Sequence, residues 1–215
     1  MNRVRQQLAQ DLQHFRAMCS EHNISLDDHL FGKFSEYRDM LVLWNERVSL
    51  VSKSDTPRFL CRHVFESLTI LQSIRPDETR LADIGTGAGL PGIPIGLVEP
   101  KLSVSLIESA RMKTLFLKAA VKSLILPNVE VIHDRVENVW EHSSGVFDIV
   151  TARAVGRLDH LWELAEPLLK PQGRLVALKG PGEAEEDLGA LGVKFTESLL
   201  ETGDRTLAIV TVQKK

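Results

Sequence analysis

The run Leu81-Ala82-Asp83-Ile84-Gly85-Thr86-Gly87-Ala88-Gly89-Leu90-Pro91-Gly92 constrains the fold of this chain more than any other segment. A short apolar strand breaks into a glycine-rich turn, and the turn opens a helix. Glycines at 85, 87 and 89 omit the side chains that would keep a ligand off the backbone, and they tolerate positive φ. The first N–H groups of the following helix have no partner in the chain, so they face whatever lies over the turn. A turn of this build holds a polar, nucleotide-like small molecule.

Two glycine spacings overlap here. Gly85-x-Gly87-x-Gly89 is common among enzymes that use S-adenosylmethionine, whereas Gly87-x-Gly89-x-x-Gly92 satisfies the dinucleotide fingerprint. The next apolar run, Leu102–Ile107, ends in Glu108, about 20 residues after the glycines, where a carboxylate accepts hydrogen bonds from ribose hydroxyls. Both cofactors carry that ribose. The glycines and Glu108 therefore indicate a nucleoside ligand without choosing between them.

The pattern along the chain narrows the choice. From about residue 79, strands are expected at 79–84, 102–107, 129–133, 147–152 and 174–179, with helices at about 92–98, 111–125 and 158–169. Pro127-Asn128 and Lys170-Pro171-Gln172-Gly173 read as turns. This alternation implies an α/β fold with a parallel sheet covered on both faces. After an acidic helix, strands at 193–200 and 205–212 flank the turn Glu201-Thr202-Gly203-Asp204. Five parallel strands finished by an antiparallel hairpin form the Rossmann-like sheet of S-adenosylmethionine methyltransferases. A nicotinamide-dependent oxidoreductase, the alternative, more often continues with helical crossovers.

Residues 1–76 read as a helical extension and 77–215 as the methyltransferase domain. Leu8, Leu12 and Phe15 mark one amphipathic stripe, and Leu30, Phe34, Tyr37, Leu41, Trp44 and Val48 mark another. Ser25-Leu26-Asp27-Asp28 resembles a capping box. Thr56-Pro57 signals the start of a third helix carrying Leu60, Val64, Leu68 and Leu71.

Composition sets the limits. The polar N-terminus with Arg3 and Arg5 leads into no signal-like stretch, and no run is long enough to span a membrane. Cys19 and Cys61 stand outside any metal or disulfide spacing, so no metal is expected and a reducing, cytoplasmic setting is the simplest inference. A net charge of −3 gives no global footprint for nucleic acid, and any RNA surface must be local. Arg62, Arg153, Arg157 and Lys179, with the cations of the N-terminal helices, are the candidates for it.

Four blocks together resemble the RsmG (GidB) family of bacterial guanine-N7 methyltransferases of small-subunit ribosomal RNA. They are Arg62-His63-Val64-Phe65-Glu66-Ser67-Leu68, Asp83–Pro94, Arg135-Val136-Glu137, and Phe147-Asp148-Ile149-Val150-Thr151-Ala152-Arg153-Ala154. Ala177-Leu178-Lys179-Gly180 fits as well. The leucine-proline-glycine that extends the glycine loop is far more specific than the glycines alone. Ser49 departs from the family pattern, which usually has asparagine there.

The resemblance implies S-adenosyl-L-methionine as cofactor, contacted by Gly85, Leu90, Val136 and Glu137; the glycine turn and the strand ends add Asp83, Gly87, Gly89, Glu108 and Arg153, the last meeting the methionine carboxylate or an RNA phosphate. It implies methyl transfer to N7 of a guanine in the decoding region of small-subunit ribosomal RNA, free or in a subunit precursor, by a monomer. No catalytic acid or base is needed, and Arg153 and His63 are expected to position substrate. His63 and Glu66, three apart, share a helical face on which an ion pair could form. The chain lacks the Asn/Asp-Pro-Pro-Tyr/Phe motif of exocyclic-amine transfer. An RNA-binding module with an inactive cofactor pocket is the non-enzymatic alternative.

Overall fold

The computed structural model describes residues 2–153 and 156–215, and Ala154 of the fourth block lies outside the described residues. Among the described residues, seven strands form one sheet in the order β3-β2-β1-β4-β5-β7-β6. They are β1 (Arg80–Ile84), β2 (Ser103–Ile107), β3 (Val129–Ile132), β4 (Phe147–Arg153), β5 (Leu169–Lys179), β6 (Phe195–Glu201) and β7 (Thr206–Gln213). The first five are parallel, and β7 inserts antiparallel between β5 and β6.

The extension holds α1 (Asn2–Glu21), α2 (Asp28–Asn45) and α3 (Phe65–Leu68), and the sheet connections hold α4 (Gly92–Val98), α5 (Arg111–Leu124), α6 (Val136–Ser143), α7 (Leu158–Ala165) and α8 (Glu183–Leu188). One apolar cluster joins Ile93 and Ile95 of α4 and Phe116 and Leu117 of α5 to Phe15, Phe34, Tyr37 and Phe59 of the extension. The other gathers Val139, Leu158, Leu161 and Leu188 under the opposite face of the sheet. The extension thus shares its core with the sheet.

Three local expectations need correction. Asp27, and not Ser25, caps α2, its side chain accepting from Leu30 N at 2.8 Å. The third helix is not one regular rod: a 3₁₀ turn at Thr56–Arg58 precedes a π-helical turn at Leu60–Val64, then α3, then a 3₁₀ turn at Thr69–Ser73. Its first free amides are taken by a distant carboxylate, Asp11 of α1, which accepts from Leu60 N and Cys61 N at 3.0 and 3.1 Å. Lys170-Pro171-Gln172-Gly173 is not a turn ahead of the strand but lies within β5, where the register with β4 shifts between Phe147 and Ile149. The extra residues are absorbed by a bulge with Gln172 at φ 64°.

The strand order reverses between β1 and β4, so the connections leaving their carboxyl ends diverge and open a crevice there. The glycine turn follows β1, and Arg153 ends β4.

Candidate functional site

Asp83, the second-last residue of β1, is fully buried. Its Oδ2 accepts from Thr86 Oγ1 and, at 2.8 Å, from Gly92 N, clamping both ends of the turn. Burial pushes its pKa up to about 7, and Oδ1 has no hydrogen-bond partner. The turn is held from above as well. The fully buried Tyr37 hydroxyl of α2 donates to Ala88 O, and its ring is braced by Phe59 and Phe116.

The glycines divide by role. Gly87 has φ 58°, and a Cβ there would meet nothing nearer than Gly85 O at 3.8 Å, so it borders open space. A Cβ on Gly89 would collide with Ile93 and lie 3.1 Å from Leu117 Cδ2, and one on Gly92 would collide with Leu106 and lie 2.8 Å from Asp83 Oδ2. Gly89 and Gly92 are therefore packing glycines. Leu90 is likewise buried in the core.

Beside the turn lies a cleft of about 200 Å³ that brings together Gly85, Glu108, Val136 and Glu137, with apolar walls from Ile84, Ile107 and Leu164. Glu108 is almost buried at the end of β2. Its Oε2 accepts from Gly87 N at 3.0 Å and its Oε1 from Ala110 N at 2.8 Å. The carboxylate is thus fixed in orientation before any ligand arrives. Val136 opens α6 and is half-buried, while Glu137 stands exposed in its first turn. Asp134, Arg135 and Ser109 complete the rim; the sequence assigned none of them to the cofactor, although Arg135 opens the Arg135-Val136-Glu137 block.

Arg153 and His63 form a second cluster apart from this cleft. Arg153 donates to His63 O at 3.0 Å and to His63 Nδ1. An arginine cannot accept, so Nδ1 must, which puts the imidazole proton on Nε2. Nε2 faces Asp55 Oδ2 at 3.7 Å, too far for a direct hydrogen bond. Desolvation, and then the neighbouring Arg153, lower the His63 pKa to about 3. His63 is therefore neutral near pH 7, and the expected His63–Glu66 ion pair does not form. Glu66, fully enclosed, instead meets Arg205 Nε at 3.0 Å and Arg153 at 3.7 Å.

The cations expected to meet RNA are also engaged. Arg62 lies 3.3 Å from Asp55 and 3.7 Å from Asp204. Arg157 meets Asp187 at 3.0 Å and Asp159 at 3.2 Å, and Lys179 meets Glu183 at 3.5 Å. A pattern of charge along the sequence did not show where the opposite charges would fold. No group of acidic, histidine or cysteine side chains suited to a metal occurs among the described residues.

Comparison with known proteins agrees with this geometry. Among solved structures, a SAM-dependent methyltransferase from Aquifex aeolicus superposes with TM-score 0.58 at 20% identity, covering 74% of this chain and 95% of that one. TYW2 of P. horikoshii in complex with MeSAdo gives TM-score 0.57 at 15% identity, over 71% and 63% of the two chains. At these identities the likeness shows the fold alone. Ribosomal RNA small subunit methyltransferase G of Desulfitobacterium hafniense is 42% identical over 166 residues, 76% of this chain and 69% of that protein. The protein of that name from Geobacillus thermodenitrificans is 36% identical over 94% of this chain and 90% of its own length. The model of the GidB family, rRNA small subunit methyltransferase G, matches residues 31–201. With a reversing parallel sheet, a clamped glycine turn and relatives along nearly its whole length, the chain belongs to the GidB family of rRNA small subunit methyltransferases.

Proposed function

We propose that the protein transfers a methyl group from S-adenosyl-L-methionine to N7 of a guanine in the decoding region of small-subunit ribosomal RNA. The observation that carries the reading is the cleft in which Glu108, Gly85 and Val136 meet beside an open Gly87. Its volume is below the roughly 300–1,000 Å³ of a drug-sized site, which suits the nucleoside end of the cofactor. Gly87, where no side chain intrudes, would leave room on the turn for the rest of the cofactor.

The residues fit the group. Glu108, held by two backbone amides, presents its carboxylate to the ribose hydroxyls. Ile107 and Val136 supply apolar walls for the adenine, and Asp134 and Glu137 supply polar edges. Asp83 serves by shaping the turn from beneath. Arg153 marks the carboxyl end of β4, where it is held by His63 O and Nδ1, and it would help to position the acceptor.

When bound, the cofactor supplies an electrophilic methyl group. Guanine N7 carries a lone pair and no proton, so the chain has only to align the acceptor and exclude competitors. His63 lies outside the cleft, its Nδ1 is occupied by Arg153 and burial lowers its pKa to about 3, so it is a poor proton acceptor, in keeping with a transfer that needs no general base. The target base must leave its stack to reach the cleft.

Equilibrium binding of S-adenosylmethionine, followed by mapping of methylated bases in small-subunit ribosomal RNA from cells with and without the protein, tests the reading. Micromolar or tighter binding and the loss of a single N7-methylguanine are expected. Binding of NAD in its place would establish the oxidoreductase alternative. RNA binding that persists with no binding of S-adenosylmethionine would favour the RNA-binding module with an inactive cofactor pocket.

A further inference from the structure

Four cations and no acid occupy α5, Arg111-Met112-Lys113-Thr114-Leu115-Phe116-Leu117-Lys118-Ala119-Ala120-Val121-Lys122-Ser123-Leu124. Arg111, Leu115, Lys118 and Lys122 follow one another at steps of four, three and four, so they line a single face of the helix. All four are exposed. Neither Arg111, Lys118 nor Lys122 has a carboxylate within 4.0 Å among the described residues. This contrasts with Arg62, Arg153, Arg157 and Lys179, each of which is matched.

The stripe has a direction. It begins at Arg111, two residues beyond Ser109 on the rim of the cofactor cleft, and its first turn carries the positive end of the helix dipole. Beside that end, Leu43, Trp44, Arg47 and Met112 line a largely apolar depression of about 420 Å³, with Glu46 as its one acid. Leu43 and Met112 are 66% and 50% exposed. At the far end, Glu36 of α2 accepts from Ser123.

We infer that the RNA strand entering the site runs along α5, its phosphates on Arg111, Lys118 and Lys122, and an unstacked base over Leu43 and Met112. The inference rests on the methyltransferase reading above. A protein of net charge −3 has no general attraction for a polyanion, so an unmatched cationic stripe ending at the cleft supplies the local one. Unstacked bases are what RNA offers to exposed apolar side chains. A second copy of this chain would need a matching acidic face.

The test is the triple variant Arg111→Gln, Lys118→Gln, Lys122→Gln, with binding of in vitro transcribed small-subunit ribosomal RNA measured across salt. With about 0.7 counterions released per phosphate contact on a single strand, the log–log salt slope should become shallower by about 2. RNA affinity at low salt should fall at least tenfold. Cofactor affinity and melting temperature should not move, and Arg157→Gln, at an engaged cation, should leave the slope alone. An unchanged slope in the triple variant overturns the inference. So does a variant whose sedimentation changes while RNA binding does not, which assigns the face to contact between copies. Should the triple variant fold poorly, Lys118→Gln alone should flatten the slope by about 0.7. If the unaltered protein binds neither cofactor nor RNA, the methyltransferase reading itself fails.

Discussion

Glu108 and His63 show how far a side chain's neighbours decide its chemistry. Glu108 is oriented by two backbone amides, so its two oxygens are already in place for the ribose diol proposed to meet them. Replacing it with alanine removes charge-assisted hydrogen bonds of about 1.5–3 kcal/mol, and cofactor affinity should fall roughly ten- to a hundredfold. Calorimetry on the folded variant checks this; unchanged affinity would remove Glu108 from the site. His63 is buried neutral, its pKa lowered from 6.5 to about 3. The unfolded chain therefore takes up a proton that the folded one refuses. Stability is fully present above pH 6.5 and declines as pH falls toward 3, by about 2 kcal/mol at pH 5. Urea midpoints at pH 7 and pH 5 should drop further for the wild type than for His63→Gln. Equal drops would mean that the imidazole is protonated in the fold.

Elements meet through single contacts that no local pattern announces. Tyr37 lies on the apolar stripe of α2 and packs as that stripe requires, yet its hydroxyl holds Ala88 O inside the glycine turn. Tyr37→Phe keeps the packing and leaves a buried carbonyl unpaired, at about 1–3 kcal/mol. Both the melting temperature and the cofactor affinity should fall. A drop in melting temperature alone would show that Asp83 holds the turn unaided. The π-helical turn at Leu60–Val64 is a second such case. It turns His63 toward Arg153 and Glu66 toward Arg205, which a regular helix started at Thr56 would not be required to do.

At the scale of the whole molecule, the helical extension and the sheet share one apolar cluster, and the hairpin closes back on the extension through Asp204 with Arg58 at 3.0 Å. Deleting residues 1–76 would uncover Ile93, Phe116 and Leu117, so the remaining 77–215 should bind hydrophobic dye and lose its cooperative melt. A sharp melt in that fragment would establish an autonomous domain. The glycine turn, the alternation of strand and helix, the terminal hairpin and Glu108 were all legible in the sequence, because each depends on residues within a turn or a strand of one another. The long-range polar contacts were not. Arg205 reaches Glu66 across 139 positions, and Tyr37 reaches Ala88 across 51. The sequence by itself determined where the strands run, where the glycine turn breaks the first of them and which family the chain resembles, since periodicity and backbone freedom are local properties. Only the tertiary structure decided which cations are neutralised and which remain free, because charge pairing depends on distances that the folded chain alone sets.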